Sequence, residues 1–519
     1  MWYDVVAFLP MTTDPSKEPT GMDGQRRWRH SSLRRTAQAS ARLGRRYCEL
    51  FVALTGATAL SLAAATGKWE VVAGVAGGLV SLLLLVRFPR VHWLMFFGIM
   101  PWFFRQSDVG VSLFDAAFAV YLATLLGGWW VRAWLGRQHK ILWERKDVFF
   151  LAVLLGTATS SIVAVSRGAT LLDWARDWAL LAMGAFYFVF RSTFREEREF
   201  RYYAFLLVVL SASLAVWAML NLRQQVLEAI YAYQIRGVKG VNAVYLIGFF
   251  LSVSFYLYSR RGVERLLWAL VSSLIAGGIV VSYTRTIWAG TIAALLAMIV
   301  LLPWQQRRRL LAGMAVVTAV FLVSGWIVLG SSFPVVMQLI ANRALTVKSG
   351  AKVASLIERR DESIHVLKLL RQPDIAVAGV GPANEHVYYD SYLGTTVRSR
   401  FVHNGLLALM FKFGIPLGIF IYGFHLAMVA KSIRCYIRSR HTRWEPYVLP
   451  FTLSLIGTTV MDWTTNAFML RSGALFLAML YAGVAIADRL IREDALQRSH
   501  RNSASAAPLS IHPTGSGTP

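Results

Sequence analysis

Four side chains sit where an apolar sequence gives little reason for them. His403 and then Asn404 open the stretch "HNGLLALMFKFGIPLG", with Gly414 and Gly418 one helical turn apart further along. Arg236 lies in "YQIRGVKGVN" and Arg285 in "SYTRTIWAG", each beside an apolar run. A guanidinium at the edge of an apolar layer suits a desolvated anion, because its planar fork meets phosphate oxygens with two parallel hydrogen bonds. Each arginine also has an ordinary reading, as a side chain that snorkels to headgroups or caps a helix C-terminus. His403 on its own reads equally well as a functional imidazole or as a satisfied interfacial histidine.

The elements that must position these residues follow from composition. Of 519 residues 56% are hydrophobic, with 18 Trp and 30 Phe, and the mean hydropathy is +0.49. That exceeds what a water-soluble core hides, so the chain is expected to be an integral membrane protein. Its apolar residues fall into unbroken runs near the length a helix needs to cross the hydrocarbon, without the alternation of a membrane barrel. The expected fold class is all-α, a polytopic helical bundle. The runs are 50–67, 71–86, 91–104, 111–131, 148–165, 174–190, 204–220, 241–258, 266–282, 287–302, 310–330, 405–430, 448–463 and 474–490. They make about fourteen spans by length, or twelve to thirteen if short runs such as 91–104, which carries Pro101, do not cross.

Basic residues set the orientation, since Lys and Arg in short loops stay on the cytoplasmic side. They occupy every second loop: Arg87 and Arg90, then clusters within 132–146, 191–201, 260–265, 307–309 and 431–443. The expected organisation is a basic cytoplasmic tail at 1–48, eleven spans within 49–330, a large periplasmic loop at 331–402, three spans within 403–490 and a disordered cytoplasmic tail at 491–519. Most of the net charge of +26 is then a topology signal lying against anionic headgroups, and a nucleic-acid partner is not expected.

Chemistry is expected in the one large outer loop. "ASLIERRDESIHVLKLL" carries Ile357, Ile364, Leu367 and Leu370 at helical spacing among charges, an amphipathic helix lying either on the membrane surface or on the rest of the loop. "GVGPAN" reads as a sharp turn. Asp173 and Asp177 in "DWARDW" stand one turn apart, but Arg176 between them and the flanking Trp174 and Trp178 suit a helix start in an aromatic belt better than a metal site. His365, His386 and His403 share the loop at spacings that match no zinc motif. Asp115, Asp462 and Asn466 are polar groups in or near lipid that line a cavity or pair with neighbours.

Taken together, "HN" followed at fixed distance by Gly414 and Gly418, the segment around Arg285, the segment around Arg236 and the run "RRDESIHVLKLLRQPDIAVAGVGPANEH" resemble the O-antigen ligase and polymerase superfamily, in the same order and on the same side. The likeness covers roughly residues 233–418. It implies a glycosyltransferase that takes a glycan from undecaprenyl diphosphate and joins it to an acceptor hydroxyl, on lipid A core or a related glycan, at the periplasmic face of the bacterial inner membrane. On this resemblance Arg236 and Arg285 hold the diphosphate, His403 activates the acceptor hydroxyl, and Asn404, Arg360 and Arg400 support the site. No cofactor and no metal are called for; the partners are the lipid-linked donor, the acceptor and membrane lipids. Polymerase and protein oligosaccharyltransferase chemistry share the motifs. A flippase for the same lipid is the alternative of another class, disfavoured because mid-helix positions are mostly apolar and no internal repeat is visible.

Overall fold

In hydrocarbon each backbone amide must find its partner within its own segment, so the apolar runs fold as helices. The computed structural model describes residue 84 and residues 88–103, 121–129, 145–228, 243–345, 354–469 and 473–505. The expected span at 50–67, nearly all of that at 71–86, the tail at 1–48 and Arg236 lie outside the described residues. The chain divides into two compact units, Met1–His92 and Trp93–Pro519, and the packing below belongs to the second.

The described elements run α1 (Pro89–Phe103), α2 (Arg145–Ala158), α3 (Ser160–Ser166), α4 (Leu171–Ala182), α5 (Phe186–Thr193), α6 (Glu197–Glu228), α7 (Val244–Tyr258), α8 (Gly262–Val281), α9 (Arg285–Leu301), α10 (Trp304–Leu329), α11 (Phe333–Leu345), α12 (Ala354–Leu369), α13 (Pro373–Ala378), β1 (His386–Asp390), β2 (Thr395–Ser399), α14 (Gly405–Phe413), α15 (Ile415–Ser439), α16 (Glu445–Asp462) and α17 (Gly473–Ser505). Among the described residues six segments are long and apolar enough to cross a membrane: Asp147–Ser166, Glu197–Leu222, Gly262–Val281, Trp304–Ile327, Ile415–Ser439 and Gly473–Ser499. The chain is a multi-pass, all-α membrane protein. Outer helices leave apolar side chains uncovered, as Val323, Trp326 and Ile327 do on α10, which is the face lipid requires. At the centre α17 is buried on all sides through Leu475, Met479, Ala482 and Ala487, and it runs on to Ser505, past residue 490 where the last span was expected to give way to a disordered tail.

Helices α9 and α16 cross at paired glycines. A Cβ on Gly290 would lie 2.7 Å from Gly457 O and 2.6 Å from Met461 Cγ, while one on Gly457 would lie 2.8 Å from Gly290 O and 3.4 Å from Ala294 Cβ. Backbone contact this close needs residues without side chains. Residue 290 faces 461 while 294 faces 457, so the two helices run antiparallel, and Arg285 at the start of α9 shares an end of the bundle with Asp462 at the close of α16.

The expected single span at 405–430 is instead two helices with a corner at Gly414. That residue adopts φ 83°, a left-handed conformation that costs glycine little. Gly418 then lies against the end of α14 itself, where its Cβ would stand 2.5 Å from Met410 N, so its close packing is with the preceding helix. The "GVGPAN" turn closes the corner: Val380 N donates to Phe411 O at 2.8 Å and Gly381 N to Lys412 O at 2.9 Å, which satisfies carbonyls that the end of α14 would otherwise leave open.

Gly414→Ala tests the corner. Its Cβ would meet Val377 O at 2.1 Å, a backbone atom that cannot swing aside, and the left-handed strain adds about 1–3 kcal/mol. The variant is expected to unfold at clearly lower temperature by tryptophan fluorescence in detergent, whereas Gly423→Ala, where a Cβ meets nothing within 4 Å, should match the parent. Equal melting of the two variants would show that the corner is not needed.

Candidate active site

The outer segment is organised by α12, which lies against β1 and α14. The expected apolar stripe is split: Leu370 is buried with Val366, Ile375, Val402 and Phe411, while Ile364 and Leu367 are exposed. The helix is therefore packed on the rest of its own loop. What it turns inward at its middle is a carboxylate. Glu362 is 0% exposed, and its Oε2 accepts both the backbone N–H of His403 at 2.8 Å and the His403 ring Nδ1 at 2.9 Å. His386 Nε2 stands 3.7 Å from the other oxygen, Oε1.

Burial by itself would raise the Glu362 pKa, but the imidazoles of His386 and His403 and the His403 backbone N–H outweigh it and hold the carboxyl at about 2. The sign is that of a depressed acid. Its stabilising contribution is complete above the ordinary glutamate pKa of about 4.3 and disappears only as pH falls through the folded value. An ionised carboxylate accepts and never donates, so Nδ1 of His403 carries the hydrogen, and in the neutral ring Nε2 then presents the lone pair. The side chain of His403 is 28% exposed, and among the described residues none hydrogen-bonds to Nε2. The ring stands perpendicular to Phe401, at 5.1 Å between centroids and 89°.

Asn404 is the N-cap of α14: its Oδ1 accepts Leu407 N at 3.0 Å, and its Nδ2 donates to Trp463 O at 3.2 Å. Its amide thus joins α14 to the end of α16. Directly beneath, a Cβ on Gly405 would fall 2.2 Å from Asp462 Oδ2, so the start of α14 rests on that carboxylate. Asp462 Oδ1 accepts Ala467 N at 2.8 Å, and Oδ2 is buried with no hydrogen-bond partner among the described residues. Since Arg285 shares this end of the bundle with Asp462, the α9–α16 crossing brings the arginine and the histidine to one face.

Helix α12 links them a second time. The Arg359 guanidinium is near enough to Arg285 for their charges to interact, and residue 359 precedes Glu362 by three positions, so both fall on neighbouring parts of one helical face. Arg360 points elsewhere. It is 65% exposed and pairs with its neighbour Asp361 at 3.2 Å, so of the two adjacent arginines the structure brings Arg359 to the site. Arg400 pairs with Glu385 at 2.9 Å and lies 3.6 Å from Asp173, tying the chain after β2 to the start of α4. Arg176 lies 3.5 Å from Asp173 and 3.3 Å from Asp177, and Trp174 stacks on Trp178 at 5.2 Å. These two aspartates form a helix-start ion-pair cluster.

A two-stranded antiparallel hairpin covers the inner side of α12, with His386 paired to Ser399 and Asp390 to Thr395. Its inward residues are His386, Tyr388 and Asp390, and its outward ones Val387 and Tyr389. Asp361 fastens the hairpin turn by accepting Ser391 N at 3.0 Å.

Residues 269–422 match the family model described as O-antigen ligase. Over that stretch the chain is similar to the O-antigen ligase family. No curated protein matches it closely enough to serve as a relative. The matched segment takes in Arg285, Arg359, Glu362, His386 and His403, and it ends inside α15. Arg236 precedes it. The sequence singles out Arg285 and His403 as candidates but gives no role to Glu362, which sits among the consecutive charges of "ERRDE" with no local sign of burial.

Proposed function

We propose that this protein is an O-antigen ligase-like, inverting glycosyltransferase that moves a glycan from undecaprenyl diphosphate to an acceptor hydroxyl on lipid A core or a related glycan. The observation that carries the reading is the meeting, at one end of the bundle, of an arginine-bearing helix start and a histidine whose Nε2 lone pair is open. The active site faces the periplasm of the inner membrane, in keeping with the basic clusters of the opposite loops, and about fourteen spans cross it.

In the reaction the acceptor oxygen attacks the anomeric carbon from the face opposite the diphosphate. Its proton passes to His403 Nε2 as the new C–O bond forms, and the bond from the anomeric carbon to the diphosphate oxygen breaks. Arg285, with Arg236, neutralises the charge that grows on the departing diphosphate, the role a divalent ion plays in other transferases. One displacement inverts the anomeric configuration.

Purified protein given lipid-linked glycan and acceptor, in excess chelator, should form acceptor-linked glycan of inverted configuration and release undecaprenyl diphosphate. Glycan lengthened by repeat units would make it a polymerase, and glycan on a protein an oligosaccharyltransferase. Arrest by EDTA with rescue by magnesium would overturn the arginine-only neutralisation.

A further inference from the structure

The most buried charge in the outer segment is one that the proposed reaction does not itself touch. Glu362 is withdrawn from solvent, yet it receives two hydrogen bonds from a single residue, the backbone N–H and ring Nδ1 of His403, on one oxygen. A structural anchor would need only the first. The second acts on the ring, because a carboxylate that accepts from Nδ1 fixes which nitrogen carries the hydrogen and the plane in which the ring lies. The titratable groups around it are Glu358, Arg359, Asp361 and His365 on α12 itself, His386, Tyr388 and Asp390 on β1, and His403 before α14. Of these only His386 and His403 come within ion-pair distance of the Glu362 carboxylate. Tyr388 is turned to Glu358, 3.5 Å from its Oε1, and Asp390 accepts Tyr392 N and Leu393 N in the hairpin turn.

We propose that Glu362 is the positioning residue of this site: its buried carboxylate holds His403 as the Nδ1–H tautomer, so that Nε2 is the atom that takes the acceptor proton, and His386 braces the carboxylate from its other side. This rests on the transferase reading given above. Glu362 does not meet substrate; it acts through His403. The proton taken by Nε2 would leave an imidazolium whose Nδ1–H faces a carboxylate, so the same contact steadies the charge that forms during transfer.

Glu362→Gln separates positioning from packing. Glutamine keeps the size and can accept from Nδ1–H or donate to a bare Nδ1, so both tautomers become populated. The variant is expected to lose about 10–100-fold in kcat, with KM for donor and acceptor unchanged and with parental melting. Glu362→Asp, which retains the charge, should recover part of the loss. In the His403→Ala background Glu362→Gln should cost nothing further, because residues that act as a unit are not additive. A full additional loss in that background, or an effect confined to KM, would overturn the proposal.

A measurement without turnover distinguishes failure of this inference from failure of the transferase reading. Nitrogen-15 NMR of histidine-labelled protein in lipid, with the His403 signals identified by their absence in His403→Ala, should show a protonated Nδ1 and a bare Nε2 in the parent and a tautomer mixture in Glu362→Gln. Identical His403 signals in the two proteins would refute the role of Glu362 even if transfer is confirmed. If the signals change as expected but no glycan is transferred by the parent, the tautomer control stands and the reaction assigned to the site falls.

Discussion

His403→Ala is expected to lower glycan transfer by about 10²–10⁴-fold, the range a positioned general base contributes, while the protein accumulates and melts as the parent does. The fold should survive because the Glu362 carboxylate keeps the backbone N–H of residue 403, which alanine still supplies at the same 2.8 Å position. The N-cap of α14 belongs to Asn404 and is untouched. What disappears is the imidazole held by Glu362, whose Nε2 has no hydrogen-bond partner among the described residues. In cells the lipid-linked donor should then collect on the outer leaflet, since it is delivered but not consumed. Donor retained on the inner leaflet would instead mark a flippase, and near-normal transfer by His403→Ala would remove the histidine from the chemistry.

The helical bundle was legible because lipid allows few alternatives. The run 204–220 lies inside α6 and 266–282 ends one residue past α8, since an unbroken apolar stretch has one way to satisfy its amides. The break at 414 was not legible in the same terms. Apart from Lys412 the run from Gly405 through Ile421 is apolar, and the corner exists because the turn at 379–384 caps α14 from a distance in sequence, a tertiary effect that periodicity does not record. The hairpin escaped for a related reason: its outward face carries Val387 and Tyr389 while its inward face carries His386 and Asp390, so the alternation of polarity is reversed. Glu362 and Arg359 were hidden by their neighbours. In "ERRDE" five ionised residues follow one another, and only packing decides that Arg360 faces solvent while Glu362, two positions on, is enclosed. Arginine and histidine in apolar surroundings stand out by contrast, which is why Arg285 and His403 could be singled out without coordinates.

Arg285 tests the anion half of the site. It begins α9, where the first backbone N–H groups of a helix favour negative charge, and Arg359 brings a second guanidinium into its field. Two like charges gathered in a partly enclosed space repel each other, and a diphosphate bound between them converts that repulsion into attraction on both sides. Arg285→Ala is therefore expected to lower kcat by about 10²–10³-fold, the loss typical of removing one group that stabilises developing negative charge. Arg285→Lys keeps the charge and loses the bidentate fork, so it should fall between the alanine variant and the parent. The loss should appear in kcat more than in the KM for acceptor, because in the proposed reaction the acceptor hydroxyl meets His403 and not the arginine. Activity of Arg285→Ala near that of the parent at equal protein level would exclude a diphosphate-holding role, and a lysine variant as active as the parent would reduce that role to simple charge.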